Sequence, residues 1–170
     1  MNLHELNTYL DNKEKLNTKV NELIQQNIIK QQEPDKDEVK GHILKSEHNL
    51  KFVTDNIKLK YFDWAITGCY YASYHSALAL ILTKNYASKN HLATLLILIK
   101  EFYKKGLEKE EIEDFAKLLD YQDILFYVES KEKREKATYT TKIDYEQKEV
   151  EEIKLKSSLF VSKIKSILNN

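Results

Sequence analysis

The stretch Trp64–Thr83, WAITGCYYASYHSALALILT, limits what this chain can fold into more than any other. It contains no Asp, Glu, Lys or Arg, in a chain of 170 residues of which 32% are charged. At helical spacing Ala65, Cys69, Ala72, Ser76 and Ala79 form a stripe of small side chains. Trp64, Tyr71, His75, Leu78 and Leu82 form a bulky stripe, and Ile66, Tyr70, Tyr74, Ala77 and Ile81 a third. A helix that is apolar or small on every side is enclosed, either by other helices or by lipid. Its length suits a bilayer. However, three Tyr, two Ser, two Thr, a Gly and a His dilute its hydrophobicity, and strongly favourable Leu and Ile side chains are few. The expectation is therefore the central helix of a soluble bundle, with no membrane partner.

The rest of the chain fits that expectation. One Pro and three Gly leave few places to turn, which favours long helices over many short strands. The formal net charge is zero, so no global basic field points to nucleic acid and any such site is local. The lone Cys69 sits mid-helix among apolar neighbours, which argues against disulfides and for a reducing compartment. The N-terminus, MNLHELNTYLDNKEK, has no apolar signal core. Together these predict a cytoplasmic protein.

Taken in order, residues 2–31 read as helix, with a break near Asp11–Asn12 where Asp11 and Glu14 suit a capping box. Its apolar stripe, Leu3, Leu6, Leu10, Leu16, Val20, Leu23, Ile24 and Ile28, stumbles across Asn12–Lys15. Gln31–Asp37, with the only proline at Pro34, reads as a linker. This divides the chain into an extension, 1–36, and a bundle, 37–170, and the interrupted stripe suggests that the bundle folds without the extension. From about Asp37 to Lys58, Val39, Ile43, Ser46, Leu50, Val53 and Ile57 step by four and three. After the central helix, Ser88 is a plausible N-cap for a helix running to Lys105, with Gly106 as its left-handed cap. Glu108, Glu110 and Glu111 favour a new N-terminus, and Ile112, Phe115, Leu119 and Phe126 mark the buried side of that helix. A charged stretch, ESKEKREKATYTTKIDY, precedes a last helix from about Tyr145 to Leu168, with Val150, Ile153, Ser157, Phe160, Ile164 and Ile167 as its seam. No segment alternates with strand period. The fold is all-α, four or five antiparallel core helices plus an amphipathic N-terminal helix.

Chemistry is concentrated at few positions. Arg134 is the one arginine among 27 basic residues. Its planar fork grips phosphate or carboxylate with two bonds, which lysine cannot copy. The bland alternative is a salt bridge to a nearby carboxylate. Thr138, Tyr139, Thr140 and Thr141 follow closely, a group of hydroxyls able to help hold a phosphate or to cap a helix. His75 reads as a hydrogen-bonded core residue, and His91 as a first-turn residue able to accept from free backbone N–H groups. His4, His42 and His48 lack acidic or Cys partners at ligand spacing, so no metal and no cofactor is expected. Neither a Gly-rich phosphate loop nor a nucleophile elbow is present.

Three local patterns then form a resemblance. FDWAITGCYYASYHSALALIL resembles the YYA-x-[FY]-HA helix of HEPN domains, named for higher eukaryotes and prokaryotes nucleotide-binding. KNYASKNH resembles the linker that follows that helix, and EKREKATY resembles the Arg-x-x-Ala-Asp-Tyr signature before the last helix. The resemblance covers about Asp37 to Leu168. It implies a helical bundle that forms two-fold dimers, in toxin–antitoxin or defence systems that cut RNA without a metal or act beside a minimal nucleotidyltransferase. The nuclease members carry Arg-x(4–6)-His at the dimer cleft. Arg134 matches that arginine, and the histidine falls at Tyr139, so the motif here is Arg-x4-Tyr, with Thr138 where Asp is usual.

The resemblance thus implies RNA or nucleotide binding around Arg134, Thr138, Tyr139 and Thr140. Arg134 and Tyr139 are the candidates for any catalysis. Two alternatives stand beside it: an adaptor for a nucleotidyltransferase antitoxin, and an active metal-free ribonuclease. Cleavage needs a base, an acid and a cation for the phosphorane. Arg134 supplies the cation, but a tyrosine titrating near pH 10 is a poor base that can still donate a proton.

Overall fold

The buried helix is where the sequence puts it. In the computed structural model, which describes residues 3–125 and 145–169, it runs Phe62–Leu82. Seven helices are described. They are α1 (Leu3–Asp11), α2 (Lys13–Gln25), α3 (Lys36–Lys58), α4 (Phe62–Leu82), α5 (His91–Phe102), α6 (Lys109–Leu125) and α7 (Gln147–Leu168). Two three-residue strands, β1 (Ile29–Gln31) and β2 (Tyr86–Ser88), pair antiparallel with Ile29 opposite Ser88 and Gln31 opposite Tyr86. The architecture is all-α with this one small ladder among the described residues.

The small stripe of α4 explains its position. Ala65, Cys69, Ala72, Ser76 and Ala79 are fully buried, and short side chains let neighbouring backbones come close. Ser46 of α3 donates to the Ala72 carbonyl at 2.7 Å, and Ser157 of α7 donates to the Cys69 carbonyl at 2.9 Å. Ser73 and Ser157 share a further bond at 2.9 Å, so each buried hydroxyl is satisfied. A Cβ built on Gly68 would come within 2.7 Å of Val53 Cγ2 and 3.0 Å of Phe52 Cδ1.

The core has two parts. A larger one joins α1, α2, α4, α5, α6 and the end of α7 through Leu6, Leu16, Val20, Leu95, Phe115 and Phe160. A smaller one gathers Val53, Ile66, Cys69, Leu118, Tyr145 and Val150. Leu6, Leu16, Val20 and Leu23 are all at most 6% exposed. The extension is thus packed into the main core, against the expectation that the bundle would fold without it. Asn12, not Asp11, caps α2 by accepting from the Lys15 N–H, so the stumble in the stripe is a helix joint across which burial continues.

Local corrections have local causes. The helix expected to reach Gln31 ends at Gln25, and Ile29–Gln31 forms β1, three residues being too short to show a period of two. Ser88 ends β2 and does not cap α5. Asn90 does, accepting from the Ala93 N–H at 2.9 Å, while Ser88 Oγ donates to the Ile28 carbonyl across the ladder. Helix α5 stops at Phe102, three residues early, and Lys104 takes the left-handed turn (φ 58°) ahead of Gly106. The bulky stripe of α4 is not enclosed. Trp64 is 49% and Tyr71 39% exposed, beside Phe52 at 40%. The expected Phe126 on the buried side of α6 lies outside the described residues.

Two predictions follow from this packing. Gly41→Ala and Gly68→Ala should diverge: nothing lies within 4 Å of a Cβ at Gly41, so the helix gains about 1 kcal/mol there. At Gly68 the clash with stiff, buried Val53 should cancel that gain and destabilise by about 1–3 kcal/mol of overpacking. Urea titration of both variants checks this, and equal stabilisation would remove the close-approach argument. Deleting residues 1–34 should abolish the cooperative thermal transition or lower its midpoint by more than about 10 °C, since several buried leucines are lost. Calorimetry reads the outcome.

Candidate functional site

The residues singled out from sequence, Arg134, Thr138, Tyr139 and Thr140, lie outside the described residues, and so does the whole of 126–144. Tyr145, the first described residue after them, is buried in the smaller core. The described chemistry lies elsewhere, on the bulky side of α4.

There an aromatic and histidine cluster is built from three helices. His42 of α3 and His75 of α4 meet Nδ1 to Nδ1 at 2.9 Å. The α3–α4 register places them so: Ser46 lies against Ala72, and one turn back on α3 and one turn on along α4 bring the rings together. On the neighbouring side the Tyr70 hydroxyl and His91 Nε2 of α5 lie 2.7 Å apart. Tyr74 stacks on Tyr70 at 5.6 Å between ring centres and meets His91 edge-on at 4.9 Å.

Burial sets the protonation of these groups. His75 is pushed down to about 4 by burial, helped by His42 and Lys45. Burial likewise lowers His42, while Glu38 opposes it and Lys45 adds to it. Both rings are therefore neutral at pH 7, and one Nδ1–H donates to the other ring's bare Nδ1. Burial raises the Tyr74 phenol above 10, the Thr94 hydroxyl partly offsetting this. Among the described residues no bond to the Tyr74 hydroxyl has good hydrogen-bond geometry, and Thr94 gives its own proton to the Asn90 carbonyl. Cys69 is pushed up to about 12 by burial, so its thiol stays protonated and unreactive.

The sequence reading of His75 as a hydrogen-bonded residue holds, although the ring is half-buried at an edge. His42 was given no partner by spacing along its own helix, because its partner lies across the helix pair. The signal was available: the Ser46 seam of α3 set against the small stripe of α4 fixes the register. His91 engages the Tyr70 hydroxyl, and the capping expected of it falls to Asn90. Among the described residues no three or more His, Cys, Asp or Glu side chains are grouped to hold a metal ion, and no helix is long and apolar enough to cross a membrane.

The two depressed histidines predict a pH dependence of definite sign. Unfolded, each takes up a proton near 6.5, whereas folded His75 waits until about 4. The unfolded chain therefore binds more protons between those values, and stability falls as the pH is lowered through that window. Discounted for the half-exposed rings, the loss is on the order of 1 kcal/mol. The difference in melting temperature between the wild type and His75→Gln, measured down the pH scale, isolates it from the carboxylates. A difference that does not change with pH would overturn the assignment.

Comparisons with known proteins match most of the chain. The family model described as HEPN domain matches residues 39–167. Two similar proteins come from Methanocaldococcus jannaschii. "Putative toxin MJ0142" is 28% identical over 134 residues, covering 78% of this chain and 83% of its own length. "Putative toxin MJ0605" is 33% identical over 133 residues, covering 78% and 90%. With the match running from early α3 to the end of α7 and the tyrosine-rich α4 at its centre, the chain belongs to the HEPN domain family.

Proposed function

We propose that this is a toxin-type HEPN protein that binds RNA or a nucleotide through Arg134, assisted by Thr138, Tyr139 and Thr140, in a cleft shared by two copies of the chain. The observation that carries the reading is the HEPN match over residues 39–167, beside two similar proteins that carry the name "Putative toxin". The lone arginine, placed in EKREKATY just before the last helix, adds to it. A forked donor suits a phosphate group, and no other residue of the chain offers that geometry. Tyr139 in the histidine position favours binding, with proton donation as the tyrosine's available role in any cleavage. The same reading takes a nucleotidyltransferase antitoxin as a partner, the cytoplasm as the location, and 1–36 as an accessory to the HEPN portion.

The small stripe of α4 is used up inside one chain, against α3 and α7, and does not support the dimer. The exposed rings of Phe52, Trp64 and Tyr71 support it instead, because large apolar side chains left in water favour burial on association. Trp64 is the sole tryptophan and reports directly on such covering. Its emission should shift to the blue as the concentration rises through the micromolar range, in step with dimer by light scattering. A monomer at tens of micromolar would contradict the dimer.

Arg134→Ala and Arg134→Lys should both lose about 1.5–3 kcal/mol of RNA or nucleotide binding, since a point charge does not restore two bonds. Tyr139→Phe should retain most binding and lose whatever cleavage the wild type has. Growth on expression, RNA binding and RNA cleavage are measured for all three, with melting temperature as the control. Wild-type growth arrest and binding in Arg134→Ala would sink the site. Normal binding with lost stability would make Arg134 a structural ion-pair residue.

A further inference from the structure

A cavity of about 760 Å³ opens beside the histidine pair, and none of its lining residues enters the reading above. Its size is that of a small-molecule site. The HEPN portion does not build it alone. Asn27, Ile28, Lys30 and Gln32, from before the matched region, face α3, α4 and the start of α5 across it. The β1–β2 ladder holds the two sides together, with Lys30 opposite Ala87.

Its chemistry is divided. Ile28, Leu78, Ile81 and Leu82 supply apolar wall. Lys30 and Lys89 line it as well, both exposed and neither in an ion pair among the described residues. The one lining carboxylate, Glu38, already accepts from Gln32 Nε2 at 3.1 Å and lies 3.9 Å from His42 Nε2. Its charge favours the proton on His42 Nε2. His42 Nδ1 is then the acceptor in the pair, His75 donates from its own Nδ1, and His75 Nε2 is left as an acceptor. Two uncommitted ammonium groups beside apolar wall match an organic anion with an apolar ring.

We propose that this cleft, between the N-terminal extension and the α3–α4 pair, binds a small organic anion with an apolar, ring-bearing body and a carboxylate or phosphate group. The body lies on Leu78, Ile81 and Leu82, and the anionic group lies between Lys30 and Lys89. The His42–His75 pair lines the same cavity, so its rings report occupancy.

Phenyl phosphate, benzoate, benzyl alcohol and inorganic phosphate serve as probes of the full-length chain, followed by the imidazole C–H resonances of the five histidines. Saturable shifts of His42 and His75, with His4 and His48 unmoved, are expected for phenyl phosphate or benzoate below about 10 mM. The two anions together distinguish phosphate from carboxylate preference. Benzyl alcohol and inorganic phosphate should each bind at least about tenfold more weakly, since each lacks half of the match. Lys30→Gln with Lys89→Gln should keep the wild-type melting temperature and lose about tenfold in affinity for the anions. No shift at either histidine would overturn the proposal, as would benzyl alcohol binding as tightly as benzoate. Undiminished anion binding by the double lysine variant would do the same. Arg134→Ala should bind the probes as the wild type does, so a failure of the RNA reading and a failure here are told apart.

Discussion

Everything in this fold depends on how closely two helices can approach α4. Its stripe Ala65, Cys69, Ala72, Ser76 and Ala79 leaves no side chain longer than a thiol between its backbone and its neighbours. Serines 46 and 157 reach the Ala72 and Cys69 carbonyls directly as a result. Those carbonyls already accept within the helix, so each serine proton uses a second lone pair and neither serine hydroxyl is orphaned. Larger side chains along the stripe would push α3 and α7 outward and open these bonds. The Lys165–Glu47 and Lys156–Asp114 pairs on the rim then add specificity of register more than stability, being substantially exposed.

Once that spacing is fixed, the register of α3 on α4 follows, and the histidine pair follows from the register. Neither ring is positioned by its own helix alone. Their neutral state follows from the same packing: desolvation disfavours the charged imidazolium, and with Lys45 nearby the depression is reinforced. Glu38 is the opposing influence on His42, and Gln32 of the extension holds its carboxylate. The path from sequence to protonation state therefore runs through small residues that carry no charge.

The fold was legible in the sequence wherever a helix shows a long, regular seam. Val39 through Ile57 and Val150 through Ile167 lie on helices found within two residues of their expected bounds, and the uncharged Trp64–Thr83 is the central helix. What was not legible has three physical causes. Strands of three residues have no measurable period, so β1 was read as the end of the first helix and β2 as loop. The joint at Asn12 changes the phase of an apolar stripe without exposing it, so the extension looked separable when Leu16 and Val20 are core. Trp64 and Tyr71 count as bulky and apolar in a pattern, yet amphipathic rings rest comfortably half in water, so a stripe of them does not require enclosure. For the site, the residues named from the motif, Arg134 to Thr140, lie outside the described structure. The histidine pair was hidden because the pattern was read along single helices, while the contact runs between two.

The extension's part in this chemistry is larger than its place outside the matched HEPN region suggests. A HEPN portion beginning at residue 39 would keep α4 and its small stripe, but would lose Gln32, Glu38 and the β1 strand that closes one side of the cleft. His42 would then lose its carboxylate neighbour, and the pair would lose one wall of its cleft. The electrostatic surroundings of His42 are thus a property of the whole chain. The three-residue ladder that escaped detection in the sequence joins the extension to the segment before α5 beside this cleft. Through Gln32 and Glu38 the electrostatics of His42 therefore depend on residues outside the matched region.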